Sequence, residues 1–283
     1  MTRKSGSSIH RDADGGVPDA LRLASLQPYA SEAGPASYVV AVLALAVLLA
    51  GLGLSIADNP DRHHASVYTP VENLAFEDPV LRECVLRDAA SNGWLVSGQV
   101  RSLRCNNPDG RRVTSLSGIG NLVNLADVDL AQNAITDTMP LERLLRLESL
   151  NLADNAIAAP ELHGLRATLR TLNLDRNRLE TLDFARDLPL LESLSVAYNR
   201  IEAVDALAGL QQLRYLDLEH NRVDDIAPLA QLSGLEVVML EANPVRDVSP
   251  LAGLKHLLVS GGAAAVEPRQ LAEKPQPAPD NRH

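Results

Sequence analysis

Aromatic side chains are scarce in this chain: two Phe, five Tyr and one Trp make up 3% of its 283 residues. Apolar residues still reach 46%, so a large core is within reach, but it has to be built chiefly from Leu, Val and Ala. A core almost without rings points to a regular architecture in which one small set of side chains recurs. Lysine is nearly absent as well; Lys4, Lys255 and Lys274 are the only three, and no run of five or more basic residues occurs. With a formal net charge of −10, that argues against nucleic acid as the partner. Catalytic signatures are missing too: there is no G-x-S-x-G, G-x-x-x-x-G-K-[ST], H-E-x-x-H or C-x-x-C. We therefore expect neither an enzyme nor a bound cofactor. His63 and His64 lack partners at metal-ligand spacing and read as part of a solvated linker. Asp224 and Asp225 fall on a turn, where charged residues are expected without any acid–base role.

One apolar run stands apart. Residues 38–57, YVVAVLALAVLLAGLGLSIA, carry no charge. As a helix they would reach about 30 Å, the thickness of a bilayer's hydrocarbon core. They have no polar face, unlike a helix at the surface of a globular core. The expectation is a transmembrane signal anchor, with residues 1–37 as a disordered cytoplasmic tail and 58–74 as a linker. The small residues Ser55 and Ala57 leave cleavage before Asp58 as the alternative. Residues 1–37 hold four basic and four acidic side chains, so the whole charge deficit lies beyond the apolar run.

The dominant pattern is an internal repeat. Leu125, Leu147, Leu169, Leu191, Leu213, Leu235 and Leu257 recur every 22 residues. The first six open LADVDLAQNAI, LESLNLADNAI, LRTLNLDRNRL, LESLSVAYNRI, LRYLDLEHNRV and LEVVMLEANPV. Within L-x-L, the two apolar residues are two apart and point to one face of a strand. Stacking such coils builds a parallel sheet over one continuous apolar core. The column Asn133, Asn155, Asn177, Asn199, Asn221 and Asn243 sits where the chain turns inward. An inward Asn offers donors and an acceptor to the backbone groups stranded there, so the column reads as structural. The return halves, such as IAPLAQLSG and VSPLAGLKH, are too short for long helices and predict 3₁₀ or irregular turns. This pattern resembles the leucine-rich-repeat family over residues 100–260. Its 22-residue length resembles the subclass of bacterial internalins and of a regulatory subunit of a eukaryotic protein phosphatase.

The expected fold is therefore an α/β-type leucine-rich-repeat solenoid, residues 100–262, with a disordered tail at 263–283. Leu81, Val85 and Leu86 share one helical face in FEDPVLRECVLRDAASNGW, which predicts a helical cap over 75–99. Phe76-x-Asp78-x-x-Leu81 resembles the N-terminal cap of bacterial leucine-rich-repeat proteins. Val100, Leu103 and Cys105 take the places of Leu125, Val128 and Leu130 at an offset of 25, with NNPDG as the insertion. Cys105 then points inward toward the cap that carries Cys84. A disulfide between them is the economical reading, and two reduced buried thiols are the other. A disulfide implies an oxidising compartment. The expected location is thus the cytoplasmic membrane, single-pass, with the repeats periplasmic or extracellular.

What remains for function is the outward face of the sheet, where solenoids bind partners. Its later coils gather Arg176, Tyr198, Tyr215, Asp217, Glu219, His220 and Met239. Tyr and Arg are common interface anchors. The expected role is capture of a protein partner on that face by a membrane-anchored protein. A cytoplasm-facing regulatory subunit and a secreted adhesin cleaved near Ala57 are the alternatives.

Overall fold

The structure, a computed structural model, describes residues 67–106 and 110–261. Two units divide the chain, residues 1–62 and 63–283, and every described residue belongs to the second.

Eight strands of three residues each form one parallel sheet in sequential order. They are β1 (Ser102–Arg104), β2 (Asp127–Asp129), β3 (Ser149–Asn151), β4 (Thr171–Asn173), β5 (Ser193–Ser195), β6 (Tyr215–Asp217), β7 (Val237–Met239) and β8 (Leu258–Ser260). Each strand is short because its coil needs only one inward residue between two outward ones. The central residues Leu150, Leu172, Leu194 and Leu216 are fully buried, as are Leu152, Leu174, Val196 and Leu218 two positions on. Burying one such side chain contributes about 1.5–3 kcal/mol relative to leaving it exposed. The register follows the repeat: Leu172 lies beside Leu194 and Leu194 beside Leu216. At the irregular front coil Leu103 pairs with Val128, the offset of 25 expected from the sequence.

The convex side is built from 3₁₀ turns, among them Met139–Arg143, Asp183–Asp187, Ala227–Gln231 and Ser249–Gly253. Pro140, Pro228 and Pro250 start three of these turns, at positions where a missing N–H costs nothing. The predicted short convex turns are thus what closes each coil.

At the front, α1 (Pro79–Asn92) covers the end of the core with Leu81, Cys84, Val85 and Ala89, all buried. Asp78 caps it, accepting from the amides of Val80 and Leu81, and Gly93 ends it in the left-handed region at φ 69°. A disulfide joins Cys84 to Cys105 across 5.8 Å between Cα atoms, stapling α1 to the first coil. The Asp78 carboxylate also reaches the first coil, accepting from the Thr114 amide and hydroxyl and the Ser115 amide. Gly118, at φ 96°, lets the coil pass under the cap; a Cβ there would stand 2.2 Å from the Ala75 carbonyl oxygen. At the far end the core fades: Leu258 is 60% exposed and Val259 half-buried.

The membrane helix expected over residues 38–57 lies outside the described residues, as do His63, His64 and the tail 263–283. Among the described residues no helix is long and apolar enough to cross a membrane. That finding overturns the single-pass localisation, with periplasmic or extracellular repeats, expected from the sequence. The physical reason is plain in α1. Its 14 residues reach only about 21 Å, against about 30 Å of hydrocarbon, and it carries Arg82, Glu83, Arg87 and Asp88.

Candidate functional site

The outward side chains of the sheet stand in columns, one residue per coil. Asp127, Ser149, Thr171, Ser193, Tyr215 and Val237 form one, and Asp129, Asn151, Asn173, Ser195, Asp217 and Met239 the next. Asp175, Glu219 and Glu241 follow just past β4, β6 and β7, and the coil then turns away from the sheet. That turn places Gln132, Asp154, Arg176, Tyr198, His220 and Ala242 in the left-handed region, with φ between 52° and 59°. A non-glycine residue there costs about 1–2 kcal/mol. The cost recurs at the same place in six coils, so it belongs to the repeat and not to one special residue.

The inward end of the turn is held by the Asn column. The Asn177 side-chain amide donates to the carbonyls of Leu152, Leu174 and Asp175, and its Oδ1 accepts from the Ile157 amide at 3.0 Å. Asn199 and Asn221 repeat these contacts one coil and two coils on. Each Asn therefore ties its own coil to the one before.

The outward end of the turn produces a ladder. The Arg176 guanidinium lies 4.0 Å from the centre of the Tyr198 ring. Tyr198 stacks on His220 with ring centres 4.1 Å apart and planes 16° from parallel. Asp154 stands 4.0 Å from the other side of Arg176. Coils spaced by about 4.8 Å bring successive side chains of one column to stacking distance. Both faces of the Tyr198 ring are covered, so the ladder is a preformed wall presenting edges and polar tips.

Beside that wall lies an acidic floor. Asp175 accepts from the Ser195 hydroxyl and the Ala197 amide, both at 2.7 Å. Asp217 accepts from the Glu219 amide at 2.9 Å. Burial pushes the Asp217 carboxyl above the usual carboxylate range; the Glu219 amide opposes that, the charge of Asp175 adds to it, and Tyr215 and His220 oppose it, so burial decides the sign. Glu219 is raised first by burial, then by Asp217 and Glu241. The Tyr215 phenol is raised by burial and by Asp217, Asp175 and Glu219, and its hydroxyl sits 3.2 Å from Met239 Sδ. Among the described residues, no group of three or more His, Cys, Asp or Glu could hold a metal ion.

Of the seven residues singled out from sequence, Arg176, Tyr198 and His220 form the ladder, and Tyr215, Asp217 and Met239 meet on β6 and β7. Glu219 links the two groups, lying one residue before His220 and two after Asp217. Sequence reasoning did not find the stacking itself. Its signal was present, since Asp154, Arg176, Tyr198 and His220 recur at the repeat interval. The anchoring role of Asp78 was also missed, because its partners Thr114 and Ser115 lie 36 and 37 residues away.

The repeats themselves match known proteins. The family model "Leucine rich repeat" matches residues 167–223, and "Leucine Rich repeats (2 copies)" matches 211–253. An internalin, inlC2, of Listeria monocytogenes str. 4b F2365 is 30% identical with TM-score 0.51, the match covering 70% of this chain and 99% of that one. The chain belongs to the leucine-rich-repeat family, with internalin-like repeats. A second internalin of that strain, inlF, is 28% identical with TM-score 0.59, covering 69% of this chain. This leucine-rich-repeat chain spans 58% of inlF. The leucine-rich-repeat ectodomain of the plant receptor kinase GASSHO1/SCHENGEN3 from Arabidopsis thaliana was solved in complex with CASPARIAN STRIP INTEGRITY FACTOR 2. It is 28% identical with TM-score 0.50, the match covering 58% of this chain and 21% of the ectodomain. No curated protein matches the chain.

Proposed function

We propose that this leucine-rich-repeat protein is a binding scaffold that captures a protein partner on its concave face, with no catalytic role. The contact surface is Arg176, Tyr198, Tyr215, Asp217, Glu219, His220 and Met239. The observation that carries this reading is the Arg176–Tyr198–His220 ladder on the sheet side of the solenoid. Anchors held rigid before binding lose little side-chain entropy on association. Tyr198 is 40% exposed although the stack covers both ring faces. The likeness to a receptor ectodomain solved with its protein factor supports the same kind of role.

The test is capture of partners from the source organism by the immobilised full chain. Four baits are compared: wild type, Tyr198→Ala, Tyr215→Ala, and a convex-side control, Asp183→Ala/Arg186→Ala. The account expects the same retained proteins with wild type and control, and their loss with either Tyr variant. Retention by both Tyr variants, with loss in the control, would place the contact on the convex side.

A further inference from the structure

Resting on that reading, we propose that the partner presents arginine or lysine side chains to the concave floor formed by Asp175, Asp217, Glu219 and Glu241. Charge complementarity on an otherwise unpartnered sheet face selects this occupant. Over β2 to β7 the outward columns hold seven carboxylates and a single guanidinium, that of Arg176. Arg176 is already engaged by Tyr198 and Asp154. Among the described residues, no Arg or Lys pairs with any of the four floor carboxylates.

The imbalance is local. Away from the floor the same chain does pair its carboxylates: Glu192 with Arg170, Glu236 with Arg214, Glu202 with Arg222, and Asp183 with Arg186. Cations therefore recur along the coils, yet they stand outside the floor. The groups facing one another there, from the coils of β4, β6 and β7, are Asp175, Tyr215, Asp217, Glu219, His220 and Glu241. Burial first, and then their mutual repulsion, raises Asp217 and Glu219. A cation supplied from outside relieves that repulsion, so binding and proton release are linked and affinity rises with pH across the carboxylate range. A bound metal would relieve it too, but no three of these groups converge to hold one.

The experiment is fluorescence anisotropy of the full chain with three labelled peptides of equal length: Arg/Ser, Glu/Ser and Leu/Ser repeats. The expected result is selective binding of the Arg/Ser peptide, weakening as pH is lowered into the carboxylate range. Asp217→Asn/Glu219→Gln should weaken it roughly tenfold, as loss of two partly buried charge contacts would. The Asp217→Asn change keeps a side-chain oxygen to accept from the Glu219 amide, and a melting curve confirms that this variant folds. The equally neutralised convex control Asp183→Asn/Glu202→Gln should bind as wild type does. Equal weakening in floor and convex variants would overturn the proposal by showing a diffuse charge effect. Selective binding of the Glu/Ser or Leu/Ser peptide, abolished by Tyr198→Ala, would overturn the cationic chemistry yet keep the concave-face reading. Peptide binding indifferent to floor and Tyr198 substitutions would overturn both.

Discussion

A single Asn side chain does in each coil what a strand partner cannot. Past the inward Leu, the backbone turns into the core and leaves an amide and carbonyls without water. Asn177 answers with one acceptor and three donor contacts spread over two coils. Alanine there strands the Ile157 amide and three carbonyls. Asn177→Ala is expected to cost about 1–3 kcal/mol, read as a lower denaturant midpoint with an unchanged slope. An unchanged midpoint would mean that water replaces the Asn without penalty. Sequence alone exposed this column, because turning inward every 22 residues demands one side chain with both hydrogen-bonding senses. The residue preceding each Asn was less legible. Its left-handed φ follows from how the coil closes, and residue types as different as Gln132 and Tyr198 occupy the position. Stacking along that column became visible only once the coil spacing was known.

At the level of elements, α1 is docked onto the first coil by three kinds of contact: buried apolar residues, the Cys84–Cys105 disulfide and the Asp78 carboxylate. Closing the disulfide loop contributes roughly 3 kcal/mol in the chain-entropy model. The periodicity of Leu81 and Val85 and the inward register of Cys105 made cap and bridge readable beforehand. The Asp78 tether joins segments far apart in sequence, and no local pattern announces it. Burial alone would raise the Asp78 carboxyl. Its hydrogen bonds from Thr114, Leu81 and Ser115 outweigh that and hold it below the ordinary carboxylate value. A depressed pKa fixes the sign: Asp78 stabilises the fold above its unfolded-state pKa, and that contribution is lost as pH falls through the folded value. Acid titration of stability should therefore show a shallower loss in Asp78→Asn than in wild type. Parallel curves would show that Asp78 contributes nothing through its charge.

At the scale of the whole molecule, the repeat decides the architecture. Eight strands in sequential order make an open parallel sheet, and the concave columns follow directly from the register. Fold and face were legible because one period governs both the core and the surface. Location was not: the expectation rested on residues 38–57, and no described helix is long and apolar enough to span a membrane. The electrostatics of the face also escaped sequence reading. Net charge was known, but its concentration beside the ladder depends on which carboxylates ion pairs neutralise elsewhere on the coils. The proposed scaffold role places binding on one surface, so its test is where a partner touches.

The most direct measurement is site-specific photo-cross-linking of the full chain, with p-benzoylphenylalanine in place of Tyr198 or Tyr215 on the concave side. The same group replaces Met139 or Leu145, which are 54% and 66% exposed on the convex side. The account predicts a cross-linked partner from Tyr198 and Tyr215 and none from Met139 or Leu145. A partner captured only from Met139 or Leu145 would contradict it and move the binding surface to the opposite face.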